Sequence, residues 1–139
     1  MKRPKKFEYP ISNIQYPIIK EGTFDLQERL IDYAVRIVRL SEALPATKAG
    51  GHVSAQMLRS GTSPASNYAE AQAAESRADF AHKLKIALKE LRETETWLRI
   101  VAKAKIVSSA AQLAPLLQET DELIAILFTS IETAKQRKS

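Results

Sequence analysis

Few side chains in this sequence have the type and the spacing that catalysis requires. Asp79 and His82 stand three residues apart, the spacing at which a helix presents a carboxylate and an imidazole to a metal. His52 has no acidic residue three positions before it, so the second such pair of a di-metal site is missing. Ser63, His82 and Glu70 could form a hydrolytic triad, but no nucleophile elbow or oxyanion loop accompanies them. We therefore predict a protein that is not an enzyme and that holds no metal or cofactor.

Composition excludes two further kinds of chemistry. The chain of 139 residues contains no cysteine, which excludes disulfides and thiolate catalysis. The glycines of "KAGG" (48–51) are too few to cradle a phosphate, and no lysine follows them as in a P-loop. The start "MKRPKKFEYP" lacks the apolar stretch of a signal peptide, and the apolar run "LIAILF" (123–128) is too short to span a bilayer. These observations predict a cytoplasmic protein without membrane contact.

The strongest pattern of polar residues lies on two consecutive helical segments. On the first of them, positions at steps of three and four share one face. These positions are Gln56, Arg59, Ser63, Asn67 and Glu70. The next segment carries a matching row, namely Lys83, Ile86, Glu90, Glu93 and Trp97, with His82 and Lys89 beside it. Such rows are typical of two helices that pair through polar contacts.

Antiparallel pairing around a turn near residues 74 and 75 brings opposite charges together. The expected partners are Glu70 with Lys83, Arg59 with Glu90 or Glu93, and Asn67 with His82. We interpret this set as a polar network that is buried between the helices and fixes their register. The polar network comprises Arg59, Ser63, Asn67, Glu70, His82, Lys83, Glu90 and Glu93. A ligand-binding or catalytic role for the same residues is the alternative.

The stretch "RSGTSPASNYAEAQ" (59–72) places residues that disfavour helices in the middle of the first polar row. Its small side chains would let a neighbouring helix approach closely. Pro64 lacks the amide hydrogen that would bond the Ser60 carbonyl, and we expect a nearby hydroxyl to donate instead. The stretch predicts a kinked and closely packed helix.

Apolar residues recur at helical spacing in four segments, which predicts an all-α fold. A capping pair at Asp25 opens the first segment, and Pro45 ends it. The second is expected from Gly51 or His52 to about Ala74, after a loop formed by "ATKAGG". A cap at Ser76 opens the third segment.

The fourth segment is expected to start from a cap at Ser109, with Pro115 either in its first turn or at a kink. Short connections between four such helices indicate an antiparallel up-down four-helix bundle over residues 23–134. An extended basic arm (1–22) precedes it, and a basic tail (135–139) follows it.

The net charge of +5 lies in the two ends of the chain, because residues 23–131 are neutral overall. The cations at the ends are candidate contacts to phosphates of RNA or DNA. They are Lys2, Arg3, Lys5, Lys6, Lys135, Arg137 and Lys138. A role as solubilising tails is the alternative.

The runs "RSGTSPASNYAEA" (59–71) and "ESRADFAHKLKIALKELRETETWLRI" (75–100) closely resemble the bacterial four-helix bundle family first described as proteins encoded in intervening sequences of 23S ribosomal RNA genes. Besides the polar network, Tyr68, Thr94 and Trp97 match the residues typical of that family. Pro64 departs from it, since many members have isoleucine there.

The resemblance implies a non-enzymatic bundle that assembles into a ring-like homo-oligomer, commonly a pentamer. Relatives of similar architecture are accessory subunits of reverse transcriptases in diversity-generating retroelements. The resemblance therefore favours an RNA-associated accessory protein, with a reverse transcriptase as a possible partner. A scaffold for protein–protein contacts without nucleic acid is the alternative.

Overall fold

A computed structural model describes residues 25–107, 111 and 113–136 of the chain. Within these residues four helices follow one another: α1 (Leu26–Ala43), α2 (Lys48–Gln72), α3 (Arg77–Ala104) and α4 (Leu113–Gln136). Each helix packs on the next, and α4 also contacts α1, which closes the bundle. The all-α antiparallel bundle predicted from the sequence is confirmed. The arm (1–22) lies outside the described residues.

Helix α1 begins and ends where local chemistry predicts. The Asp25 carboxylate accepts the Glu28 amide at 3.0 Å and so caps the first turn. The helix ends at Ala43, and Leu44 is extended because a residue before proline avoids the helical region. The six positions of this segment that recur at steps of four and three are all buried, namely Leu26, Leu30, Tyr33, Ile37, Leu40 and Leu44.

The start of α2 differs from the sequence prediction, which placed it at Gly51 or His52. The helix begins at Lys48, because the Thr47 hydroxyl accepts the Gly50 amide at 3.0 Å and caps it. Gly50 is part of this helix, and the position requires glycine because a Cβ there would lie 2.1 Å from the Pro45 carbonyl oxygen. The glycine thus permits close packing of the loop on the first turn, and it does not stop a helix.

Helix α3 starts at the predicted cap, since the Ser76 hydroxyl accepts the Asp79 amide at 3.0 Å. It ends in a Schellman motif, in which the Ile106 amide donates to the Val101 carbonyl at 3.3 Å. Lys105 takes the left-handed conformation that this motif requires, with φ of 53°. The helix therefore ends at Ala104.

Pro115 stands in the first turn of α4, where the missing amide hydrogen costs no helical bond. This decides between the two roles that the sequence left open. Leu116 and Leu123 of this helix are buried, whereas Leu117 and Ile124 are half-buried. The predicted cap at Ser109 lies outside the described residues.

Helix α2 runs through Pro64 without interruption, and its small residues do permit close packing. A Cβ added to Gly61 would lie 2.8 Å from both Cγ atoms of Ile37 on α1. Contrary to expectation, the hydroxyls of Thr62 and Ser66 near Pro64 do not bond the Ser60 carbonyl. Thr62 donates to the Leu58 carbonyl at 2.7 Å, and Ser66 donates to the Ser63 carbonyl at 3.0 Å.

We predict that Gly61→Ala destabilises the protein. The clash with Ile37 outweighs the gain in helix propensity, for a net loss of about 1–2 kcal/mol in the free energy of unfolding. Urea denaturation measures this. Gly51→Ala is the matched control, because a Cβ there meets no atom within 4 Å, and we expect it to stabilise by about 0.5–1 kcal/mol. Equal effects of the two substitutions would contradict the close approach.

Candidate functional site: the polar network of the second and third helices

The best-connected part of the polar network is centred on Arg59. Its Nη1 donates to Glu90 Oε1 at 3.0 Å, and its Nη2 donates to Glu93 Oε2, so one guanidinium ties two carboxylates of α3. Trp97 Nε1 also donates to Glu93 Oε2, at 3.2 Å. The Trp97 ring meets His52 edge to face, with centroids 5.8 Å apart. The group thus joins α2 to α3 by both charge and aromatic contact.

The burial of this group differs from the prediction of an internal network. The Arg59 side chain is 50% exposed and that of Glu93 is 35% exposed, whereas that of Glu90 is only 11% exposed. The reason is the length of the arginine, which reaches across the outer edge of the α2–α3 interface while its head stays in water. The bond from Arg59 lowers the pKa of Glu93, with a smaller contribution from Trp97. The network is therefore a surface clamp with one buried carboxylate.

A second bridge joins the same two helices nearer to their connecting turn. Lys83 Nζ lies 2.8 Å from Glu70 Oε1, as the antiparallel register predicts. The side chains are 29% and 58% exposed, respectively, so water screens this pair. The bridge fixes register more than it adds stability.

The remaining members of the polar network do not bridge the helices. Asn67 Nδ2 donates to the Ser63 carbonyl at 3.1 Å and to the Ser63 hydroxyl at 2.9 Å, both within α2. The predicted bond between Asn67 and His82 is not formed, and His82 is exposed. Local bonding by an asparagine to the preceding turn competes with the longer reach to α3.

Two buried hydroxyl contacts went unnoticed in the sequence. The Thr94 hydroxyl lies 2.7 Å from that of Ser60, and it also bonds the Glu90 carbonyl at 2.8 Å. Tyr33 Oη lies 2.7 Å from Thr120 Oγ1, which joins α1 to α4. Thr94 and Thr120 both stand at core positions of their helices, where the other residues at helical spacing are apolar. A threonine at such a position is the sequence signal that could have predicted these two contacts.

A further ion pair closes the α1–α4 interface. Arg29 Nε donates to Glu119 Oε2 at 2.7 Å, and Arg29 Nη2 donates to Glu119 Oε1 at 2.8 Å. This two-pronged geometry is the strongest form of arginine–carboxylate contact. Neither residue was singled out from the sequence, because the register between the first and last helices is not set by a short turn.

The geometry of the polar network offers little for catalysis. Arg59 is bound by Glu90 and Glu93, and Lys83 is bound by Glu70. No substrate-sized recess is lined by Arg59 or Lys83 among the cavities described below. Within residues 25–107, 111 and 113–136, no group of three or more histidine, aspartate or glutamate side chains is placed to hold a metal ion. The arrangement is suited to holding two helices in register.

Recesses occur at other places on the surface. One lies between the α2–α3 turn and the last turns of α4, where Phe80 and Thr133 form part of its lining. Another lies between α1 and the start of α4, beside Arg36 and Pro115. None of the helices in the described residues is long and apolar enough to cross a membrane.

Of the seven cations predicted to contact phosphates, Lys135 falls within the described residues. It is exposed, with its Nζ 3.5 Å from Glu132 Oε2. Lys2, Arg3, Lys5, Lys6, Arg137 and Lys138 lie outside the described residues.

We predict that Arg59→Ala lowers the midpoint of urea unfolding, because it leaves the nearly buried Glu90 carboxylate without its cation. Lys83→Ala is the matched control and should leave the midpoint almost unchanged, because Glu70 is exposed to water. Adding Glu90→Gln to Arg59→Ala should recover part of the loss. Equal midpoints for the two single variants would contradict the assignment of Glu90 as the buried member.

Comparison with known proteins places this geometry in a family. The model of the 23S rRNA-intervening sequence protein family matches residues 23–129. A crystal structure of a protein of unknown function from the S23 ribosomal protein family of Bacteroides thetaiotaomicron is 38% identical, over 76% of this chain and 97% of that chain, with a TM-score of 0.71. No curated protein matches the sequence. The chain belongs to the 23S rRNA-intervening sequence protein family, as its resemblance predicted.

Proposed function

We propose that the protein is a non-enzymatic accessory protein that associates with RNA and acts as a homo-oligomer. The proposal rests on the positions at which the first helix begins and the last helix ends. In an up-down bundle of four helices, the start of α1 and the end of α4 lie at the same end of the molecule. All the excess positive charge of the chain is therefore attached to one end of a neutral body.

Such a distribution suits a polyanion better than a small ligand. Basic segments beside a neutral body release counterions from a phosphate backbone without a shaped pocket. The bridges of Arg59 make the polar network a structural clamp between α2 and α3, which agrees with an accessory role. The name of the family refers to ribosomal RNA genes, and we take RNA as the preferred polyanion on that basis.

The proposal predicts salt-dependent binding of RNA. Fluorescence anisotropy with a labelled 20-base-pair RNA duplex should show an affinity that falls as potassium chloride rises. Deletion of residues 1–20 together with Lys135→Gln, Arg137→Gln and Lys138→Gln should weaken binding and flatten the salt dependence. If the complete chain does not bind the duplex at low salt, RNA association is wrong. If the shortened variant binds equally well, the termini are not the contact.

Self-association is supported by an apolar patch on the outside of α1 and α2. The patch consists of Ile31, Val35, Val38 and Leu58, which are 37–40% exposed. The first three follow at steps of four and three and so share one face of α1. The contacts Ser41–Ser54 and Ile37–Gly61 fix the register of the two helices and place Leu58 beside Val38. Exposed apolar patches are typical of protein interfaces, and we take this one as the surface for self-association.

The apolar patch predicts the effect of charge on assembly. Light scattering of Val35→Glu/Val38→Glu should give a smaller mass than that of the unmodified chain, because a buried carboxylate in the interface is not paired. Phe128→Glu is the matched control, since Phe128 is 49% exposed but lies on α4 away from the patch. A monomeric unmodified chain, or an equal loss of mass in both variants, would contradict self-association through this patch. A pentamer would have about five times the mass of one chain.

A scaffold that binds only proteins is the second candidate, and the apolar patch favours it. It would be preferred if the chain self-associates through the patch but leaves the RNA duplex unbound. A reverse transcriptase is one partner that such a scaffold could serve.

A further inference from the structure

The outward face of α3 carries a regular row of positive charge. Positions on this face follow at steps of four and three, and so lie on one line along the helix. They are Lys85, Lys89, Arg92, Thr96, Arg99 and Lys103, and every one of them is exposed. We call the five cations of this row the basic stripe. Because residues 23–131 are neutral overall, the stripe is a local concentration of charge that the net charge of the body does not reveal.

The carboxylates of the same segment lie off this line. Glu90 and Glu93 turn toward α2, where Arg59 holds both. Glu95 lies on the side of α4, where a hydrogen bond with Asp121, followed by burial, raises its pKa. The acidic residues of α3 are thus occupied at its two flanks, and the outward face between them stays positive.

The cations of the basic stripe are available for a ligand. Within the described part of the chain, none of them forms a salt bridge, in contrast to Arg29, Arg59 and Lys83. Lys89 is attracted by Glu93, and Arg92 and Arg99 are attracted by Glu95, in each case without a salt bridge. Like charges at three and four positions nevertheless repel each other along the stripe. A bound polyanion would remove that repulsion.

The chemistry of the stripe selects among anionic partners. Ile100 is the exposed large apolar side chain of α3, at 40%, and it stands alone. A helix that lies on a membrane needs an apolar face to insert, and a protein interface needs aromatic or aliphatic anchors at its centre. A recess lined by Thr96, Arg99, Ile100, Lys103 and Ala104 adjoins the last turns of the stripe, and Ile100 is the one exposed large apolar side chain in it. One such side chain is too few for either role, so charge and hydrogen bonding are the main means of attraction.

The dimensions of the stripe agree with a phosphate backbone. The 18 residue steps from Lys85 to Lys103 span about 27 Å at 1.5 Å per residue. Successive positions are about 4.5 or 6 Å apart along the axis, and the whole length corresponds to about eight phosphates of one strand. A ligand that occupies the whole stripe therefore carries many phosphates in a row, as a nucleic acid strand does and a nucleotide does not.

We infer that the basic stripe of α3 is a binding surface for the phosphate backbone of nucleic acid. The inference rests on the proposed RNA association, to which it adds a contact on the rigid body of the bundle. Lys89, Arg92 and Arg99 lie at the centre of this surface. They contact phosphates and leave base edges unread, so binding through the stripe has little sequence preference.

The test compares two triple variants of equal charge in the complete chain. Lys89→Gln/Arg92→Gln/Arg99→Gln removes the centre of the stripe. Arg39→Gln/Lys48→Gln/Lys105→Asn removes three exposed cations from elsewhere. With the labelled 20-base-pair RNA duplex at 0.1 M potassium chloride, we expect the stripe variant to bind about 100-fold more weakly and to lose about two to three units of salt slope. The control variant should stay within about threefold of the unmodified chain.

Two further measurements separate loss of binding from loss of fold. Far-UV circular dichroism should be unchanged in the stripe variant, because its three positions are exposed. The urea midpoint should be equal or slightly higher, because repulsion between the cations is relieved. The charge-conserving variant Lys89→Arg/Arg92→Lys/Arg99→Lys should retain the affinity. If the first variant is unfolded, Lys85→Gln/Lys103→Gln replaces it, with an expected loss of at least about 20-fold.

The outcomes distinguish this inference from the proposed function. If the unmodified chain fails to bind the duplex, both are wrong. If the chain binds but the stripe variant equals the control variant, RNA association stands and the stripe inference is overturned. If vesicles of phosphatidylcholine and phosphatidylserine bind through the stripe while the duplex does not, the surface belongs to a membrane and the inference is likewise overturned.

Discussion

Helix α2 contacts α3 through Ser60 and α1 through the next residue, Gly61. The distances between these three helices depend on this pair of small residues. Ser60 meets Thr94 of α3 at 2.7 Å, and Gly61 lets Ile37 of α1 approach to a distance that no Cβ would permit. A larger residue at either position would push one of the neighbours outward. The small residues before Pro64 thus meet packing demands from two sides.

The same spacing explains why the charged residues of α2 and α3 lie at the surface. When the backbones are close, short side chains fill the interface, and a long one such as Arg59 has to leave it along the edge. Glu90 remains nearly buried because it sits one turn before Thr94, on the flank that faces α2. The clamp therefore shields one carboxylate and leaves the others in water. Its arrangement holds α2 and α3 in register.

Much of the fold could be predicted from the sequence, because apolar spacing and caps at Asp25 and Ser76 act locally. The bridges of Arg59 and Lys83 followed from a short turn that fixes the register. Their exposure could not be predicted, since it depends on the distance between helices. The beginning of α2 was missed because a glycine pair is typical of a helix end, whereas here the Pro45 carbonyl required Gly50. The basic stripe was not predicted, because the net charge of residues 23–131 is zero and does not show that the cations of α3 share one face.

The four interfaces of the bundle differ in how far apart their residues are along the chain. Three of them join consecutive helices, whereas the sparser α1–α4 interface joins residues such as Tyr33 and Thr120, 87 positions apart. Closing so long a loop costs more entropy than forming a helical hairpin, so this seam is expected to form last during folding. By the same reasoning, we expect the α1–α4 interface to separate first when the protein is destabilised. The buried contact between Tyr33 and Thr120 and the two bonds from Arg29 to Glu119 oppose that separation.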